Sequence, residues 1–203
     1  MDTQKYIQLL KTEDIPWHRL TTAYGRATDF PKYFKTMWEM KNMEEVKNAY
    51  SEIISNIEHQ GTLWHSTAFS VIFLVRIFEH ALNNMEENEI ACYLAEELLD
   101  SFEVIAVCCN DAVEMGFDED EVLPEFSDMI KEEYLYPEEY NEEEEELCWE
   151  EDSFEDLLAS FYYYSYEALL PCKKMLEKLK NTDLEESADS LLELLSSNPF
   201  QNE

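Results

Sequence analysis

The densest concentration of chemistry-bearing side chains lies between Pro137 and Asp156, in the stretch PEEYNEEEEELCWEEDSFED. Glu142, Glu143, Glu144, Glu145 and Glu146 follow one another, flanked by Glu138 and Glu139 on one side and Glu150, Glu151 and Asp152 on the other. Carboxylates can transfer protons, ligate cations or pair with the Lys and Arg of another protein. An acid–base pair can be drawn anywhere among so many, so abundance identifies none. A calcium loop needs alternating Asp/Asn and a central glycine, and the run has neither. Charge blocks are ordinarily solvated loops, but Tyr140, Trp149 and Phe154 are threaded through this one. Rings beside carboxylates suit a binding face, because rings provide buried area and acids meet basic side chains. The candidate partner-binding set is Glu138, Glu139, Tyr140, Glu142, Glu143, Glu144, Glu145, Glu146, Trp149, Glu150, Glu151 and Asp152.

Other reactive types are sparse. The histidines are His18, His59, His65 and His80, and no HExxH or Cys/His metal spacing joins them. They read as capping or packing residues. Only Gly25, Gly61 and Gly116 are present, which excludes most glycine-rich nucleotide loops, and there is no GxSxG. No catalytic residue, metal or cofactor is expected, and the chain does not read as an enzyme. Cys92, Cys108, Cys109, Cys148 and Cys172 are odd in number and form no CxxC pair, so they read as reduced, partly buried thiols.

Charge is segregated along the chain. The formal net charge is −33, yet residues 1–82 hold 10 of the 47 acids and 9 of the 14 bases. A near-neutral third is thus joined to a strongly anionic remainder. Such a surface repels nucleic acid and anionic lipid and attracts basic proteins. Neither a secretory signal nor a bilayer-length apolar stretch is visible, and a cytoplasmic location is expected.

The elements that must position these groups read as helices. Thr3 to Leu10 is a short amphipathic helix, and residues 13–28 form a connector. Asp29 is placed to cap a helix running to about Met40, with Pro31 in its first turn. Met43 to Ile57 shows three-to-four spacing. Thr62 is placed to cap a helix from about Leu63 to Leu82, which is apolar on most sides and therefore central. Glu86 to Met115 holds one long helix or two shorter ones, ended by Gly116. Asp118 to Ile130 reads as a further helix. Others carry Phe154 to Leu169, with Tyr162, Tyr163 and Tyr164 divided between core and surface, and Leu184 to Leu195. Such a series predicts an all-α chain, an irregular HEAT-like α-solenoid of stacked antiparallel helix pairs, in one domain over residues 1–203. A compact irregular helical domain is the alternative. The acidic, aromatic-rich segment covers residues 134–156.

Residues 15–78 carry an ordered series of short motifs: Ile15-Pro16-Trp17, Ala23-Tyr24-Gly25-Arg26-Ala27, Asp29-Phe30-Pro31, His59-Gln60-Gly61-Thr62, Ala68 and Phe73-Leu74. The series resembles the leading helical pairs of a group of bacterial HEAT-repeat-like proteins, some of them immunity proteins of polymorphic toxin systems. Where that group tends to have proline before the Phe-Leu pair, this chain has Ser70-Val71-Ile72. The likeness does not extend beyond Leu82. It implies an immunity or inhibitor protein, and the acidic run then implies a basic partner, a cognate toxin such as a nuclease. The alternatives are a helical scaffold that binds through a neutral groove, or a DNA-mimicking regulator. Oligomeric state is not encoded in any feature of the sequence.

Overall fold

From His65 to Val75 the chain offers no acidic or basic side chain other than an imidazole, and fourteen residues of the helix His65–Leu82 (α4) are buried. A helix without a polar face must be enclosed by its neighbours, and α4 is the element around which the others assemble. The computed structural model describes residues 2–114, 116–117, 119–141, 145, 152–196 and 198–200, and the backbone alone at 119 and 152–156.

Before α4 come α1 (Thr3–Leu9), α2 (Phe30–Glu39) and α3 (Met43–Ile57). After it come α5 (Glu89–Glu114), α6 (Asp152–Leu169), α7 (Lys173–Leu176) and α8 (Glu185–Leu194). Helix α4 packs most extensively on α6 and α5, which also pack on each other. Helices α2 and α3 cover one flank of this centre, and α8 lies against α5. A single apolar cluster runs from Ile7 to Phe200.

The molecule is mostly helical and globular, and no solenoid is detected. The physical reason is visible at Gln4. Its amide donates to the Glu167 carbonyl and carboxylate, both at 2.9 Å, so the first helix closes onto α6. In a stack of helix pairs each repeat touches only its neighbours. Here a helix apolar all round draws early and late segments together instead.

Local signals explain several helix ends. The Asp2 and Asn42 side chains accept the backbone N–H of Lys5 and Glu45 at 3.0 and 3.1 Å, capping α1 and α3. Asp29 stands at the N-cap of α2 with Pro31 in the first turn, but its side chain makes no cap bond. The expected capping by Thr62 does not occur. Thr62 lies in a strand, and α4 begins at His65, where Thr67 Oγ1 accepts the Trp64 N–H at 2.8 Å. Gly116, at φ +104°, ends α5, with Phe117 N–H returning to the Ala112 carbonyl at 3.1 Å.

Two differences from an all-helical reading matter for the site. Thr21–Thr22 (β1) pairs antiparallel with Gly25–Arg26 (β2), and Glu58–His59 (β3) with Thr62–Leu63 (β4). The second turn places Gln60 and Gly61 at φ +54° and +81°, the backbone a two-residue hairpin demands. The helix expected from Asp118, itself outside the described residues, is replaced by short 3-10 turns at Glu119–Glu121, Phe126–Ile130 and Glu132–Tyr134. Pro124 lacks the N–H a continuous helix needs. Phe126 anchors the segment instead, stacking on Tyr164 at 4.6 Å and packing on Phe69 at 5.0 Å.

Candidate functional site

The site is built from two arginines of the near-neutral third and the first half of the acidic segment. Trp17 fixes the first arginine. Its indole N–H donates to the Thr12 carbonyl at 2.9 Å, and its ring packs among Phe30, Phe34 and Phe73. The 3-10 turn Trp17–Arg19 then carries Arg19, which is buried despite its charge. Arg26 is the last residue of β2, placed by the Gly25 turn.

Residues 132–141, with Glu145, meet these two side chains as a strap. The Arg19 guanidinium makes a bidentate contact with Glu132 at 2.7 and 2.8 Å and reaches Glu138 at 3.3 Å. Its Nε donates to the Tyr136 carbonyl, and the Arg19 carbonyl accepts the Tyr136 N–H at 3.1 Å. Side chain and main chain of one residue therefore grip the strap backbone from both sides. His18 Nε2 meets Glu138 at 2.8 Å. Arg26 donates to Glu145 at 2.5 and 3.0 Å and to the carbonyls of His18 and Pro137 at 2.8 and 2.9 Å. Such forked, charge-assisted contacts are the strong members of their class.

The electrostatics follow from these bonds. The hydrogen bond from Arg19 holds the Glu132 carboxyl below its usual range. Glu138 is lowered as well, first by His18 and then by the Arg19 charge. The carboxylates of the pair are outward-facing: the Glu132 and Glu138 side chains are 82% and 70% exposed. Arg26 and Glu145 are largely withdrawn from water.

Aromatic rings surround the grip. The Arg26 guanidinium lies 5.3 Å from the Tyr136 ring centre and 6.0 Å from that of Tyr140. Tyr140 is 72% exposed. The two hairpin turns meet where the Tyr24 hydroxyl contacts His59 at 3.2 Å, leaving most of the Tyr24 ring in solvent. A shallow cavity of about 320 Å³ opens between Thr22, Gly25, Trp64 and Tyr136.

Of the sequence-predicted set, Glu138, Glu139, Tyr140 and Glu145 have described side chains. Glu138 and Glu145 are bound by the protein's own arginines, whereas Glu139 and Tyr140 are exposed. Asp152 opens α6, with only its backbone described. Glu142, Glu143, Glu144, Glu146, Trp149, Glu150 and Glu151 lie outside the described residues. Tyr136 is buried and Tyr134 partly so, and these two rings hold the strap down rather than face outward. Tyr162 and Tyr164 are core residues, with Tyr163 half-buried between them.

Sequence reasoning missed His18, Arg19 and Arg26 as site residues. A signal existed. Nine of the 14 bases sit in residues 1–82, and a molecule with 47 acids brings some of them against carboxylates. Arg26 also lies within the Ala23–Ala27 motif.

Among the described residues no group of three or more His, Cys, Asp or Glu is placed to hold a metal ion. None of the described helices is long and apolar enough to cross a membrane. No protein-family model, curated protein or solved structure matches the chain.

Proposed function

We propose that the protein is an immunity or inhibitor protein that binds a basic toxin, a nuclease being the natural case, through its anionic face. The observation that carries this reading is the strap. It presents Glu132, Glu133, Glu138, Glu139 and Tyr140 at the surface while buried Arg19 and half-buried Arg26 hold its backbone in place. A cationic partner then meets carboxylates already fixed in position, which lowers the ordering cost of binding. Arg19 and Arg26 neutralise part of the run. The docking set therefore narrows, among described side chains, to Glu139 and Tyr140 with the outer faces of Glu132 and Glu138.

The resemblance of residues 15–78 to HEAT-like immunity proteins supports the same reading. Its structural counterpart is the pair α2 and α3, joined by three residues and packed on each other. A cytoplasmic site of action, where an internal toxin would be met, belongs to this proposal.

The test is to co-express the protein with any toxin-domain protein that a neighbouring reading frame encodes, and to measure their association by stopped flow. Electrostatic steering contributes about 10- to 10³-fold to such on-rates. Glu139→Lys with Tyr140→Ala should slow association about tenfold and flatten its salt dependence. An on-rate and salt slope unchanged by both substitutions would remove the strap as the docking surface.

A further inference from the structure

On the near-neutral third, away from the strap, α2, α4 and the segment Lys11–Trp17 enclose a groove of about 700 Å³. That is the size of a site for a small organic molecule. Its floor is preorganised. Trp17, Phe34 and Phe73 are mutually packed at 5.3–5.8 Å between ring centres, and the Trp17 indole is fixed by its hydrogen bond to Thr12. Trp38 forms an open rim, stacked on His80 at 4.2 Å and 48% exposed.

The lining is unusual for this molecule in its sign. Lys11, Lys35 and Arg76 face the groove against a single acid, Glu13, in a chain of net charge −33. Arg76 is half-buried with its guanidinium 5.0 Å from the Phe73 ring centre. It donates to the carbonyls of Ile7 and Leu10 at 2.7 and 2.8 Å, at the end of α1. Among the described residues no carboxylate pairs with Arg76, Lys11 or Lys35. A positive charge beside apolar surface, left without a counter-charge, is an anion-selective feature.

The geometry points to a binding site for a small aromatic carboxylic acid, its ring against Trp38 and the exposed edges of Trp17, Phe34 and Phe73, and its carboxylate among Arg76, Lys11 and Lys35. Trp38, 48% exposed, supplies the stacking area, and the cations supply orientation, the division of labour usual in ligand sites. This site shares the turn Trp17–Arg19 with the strap but none of the strap's carboxylates, and it does not depend on a toxin partner.

The test is calorimetric titration of the intact protein with 2-naphthoate and its neutral isostere 2-naphthamide. Naphthoate should bind about tenfold more tightly than the amide, a difference of one well-placed charge contact. Reversing the two exposed lysines, Lys11→Glu with Lys35→Glu, should abolish that preference by weakening naphthoate more than the amide. Trp38→Ala should weaken both ligands and so locate them at the rim. Equal affinity for the two ligands, a preference that survives lysine reversal, or no binding of either would each overturn the proposal. Loss of strap-dependent toxin binding would leave it untouched.

Discussion

Arg26 and Glu145, 119 residues apart in sequence, meet at 2.5 Å with their side chains 12% and 13% exposed. The same guanidinium donates to two backbone carbonyls. The contact therefore joins a hairpin of the near-neutral third to the middle of the glutamate run and uses most of the donors an arginine has.

Removing one member of a buried pair leaves the other uncompensated, at a cost of about 3–5 kcal/mol. Arg26→Met should accordingly lower stability to urea by about 3 kcal/mol. Arg26→Lys should recover little of this, because a single ammonium cannot reach Glu145, His18 and Pro137 together. Replacing the pair, Arg26→Met with Glu145→Leu, should cost less than Arg26→Met alone. Equal costs for the single and double variants would show that the pair is not coupled.

The strap should also be acid-labile and salt-sensitive. Glu132 and Glu138 are held below the ordinary glutamate value of 4.5. A depressed carboxylate stabilises the bound form fully above its unfolded value and loses that contribution as pH falls through the lower folded value. Hydrogen-exchange protection of residues 132–141, taken relative to the intrinsic rate at each pH, should therefore be high at pH 7 and fall below pH 4.5, earlier at high salt because these carboxylates are exposed. Exchange in this segment that is already fast at pH 7 would show that the strap is not held.

His65 makes a separate prediction. It is wholly buried, its Nε2–H donates to the Met129 carbonyl at 2.7 Å, and Nδ1 has no partner. Burial lowers its pKa from 6.5 to about 4. The native state excludes a proton that the unfolded state takes up, so stability is full above pH 6.5. It declines by up to about 1.4 kcal/mol per unit as pH falls toward 4. His65→Gln, which keeps a donor, should lose this component of the slope between pH 6.5 and 5. Parallel urea midpoints for the two proteins across that range would refute the assignment.

Helices α3, α4, α5 and α8 were legible because their apolar residues recur at helical spacing over ten residues or more. The hairpins were not, since Thr21–Arg26 and Glu58–Leu63 are too short to show alternation, and only Gly25 and Gly61 hinted at turns. The segment after Gly116 has helical spacing at Val122, Phe126, Met129 and Ile130, but Pro124 and the docking of Phe126 under Tyr164 override it. The acidic segment was readable as chemistry and not as geometry. Spacing reveals that carboxylates are dense, whereas their partners, Arg19 and Arg26, are chosen by tertiary contact more than a hundred residues away.

That distance has a consequence for biosynthesis. Arg19 leaves the ribosome 113 residues before Glu132, and Arg26 leaves 119 before Glu145. At ordinary elongation rates the interval is roughly ten seconds. During it both guanidiniums lack the carboxylates that bind them in the fold. The contacts that fix the strap therefore form only after about two-thirds of the chain has been made.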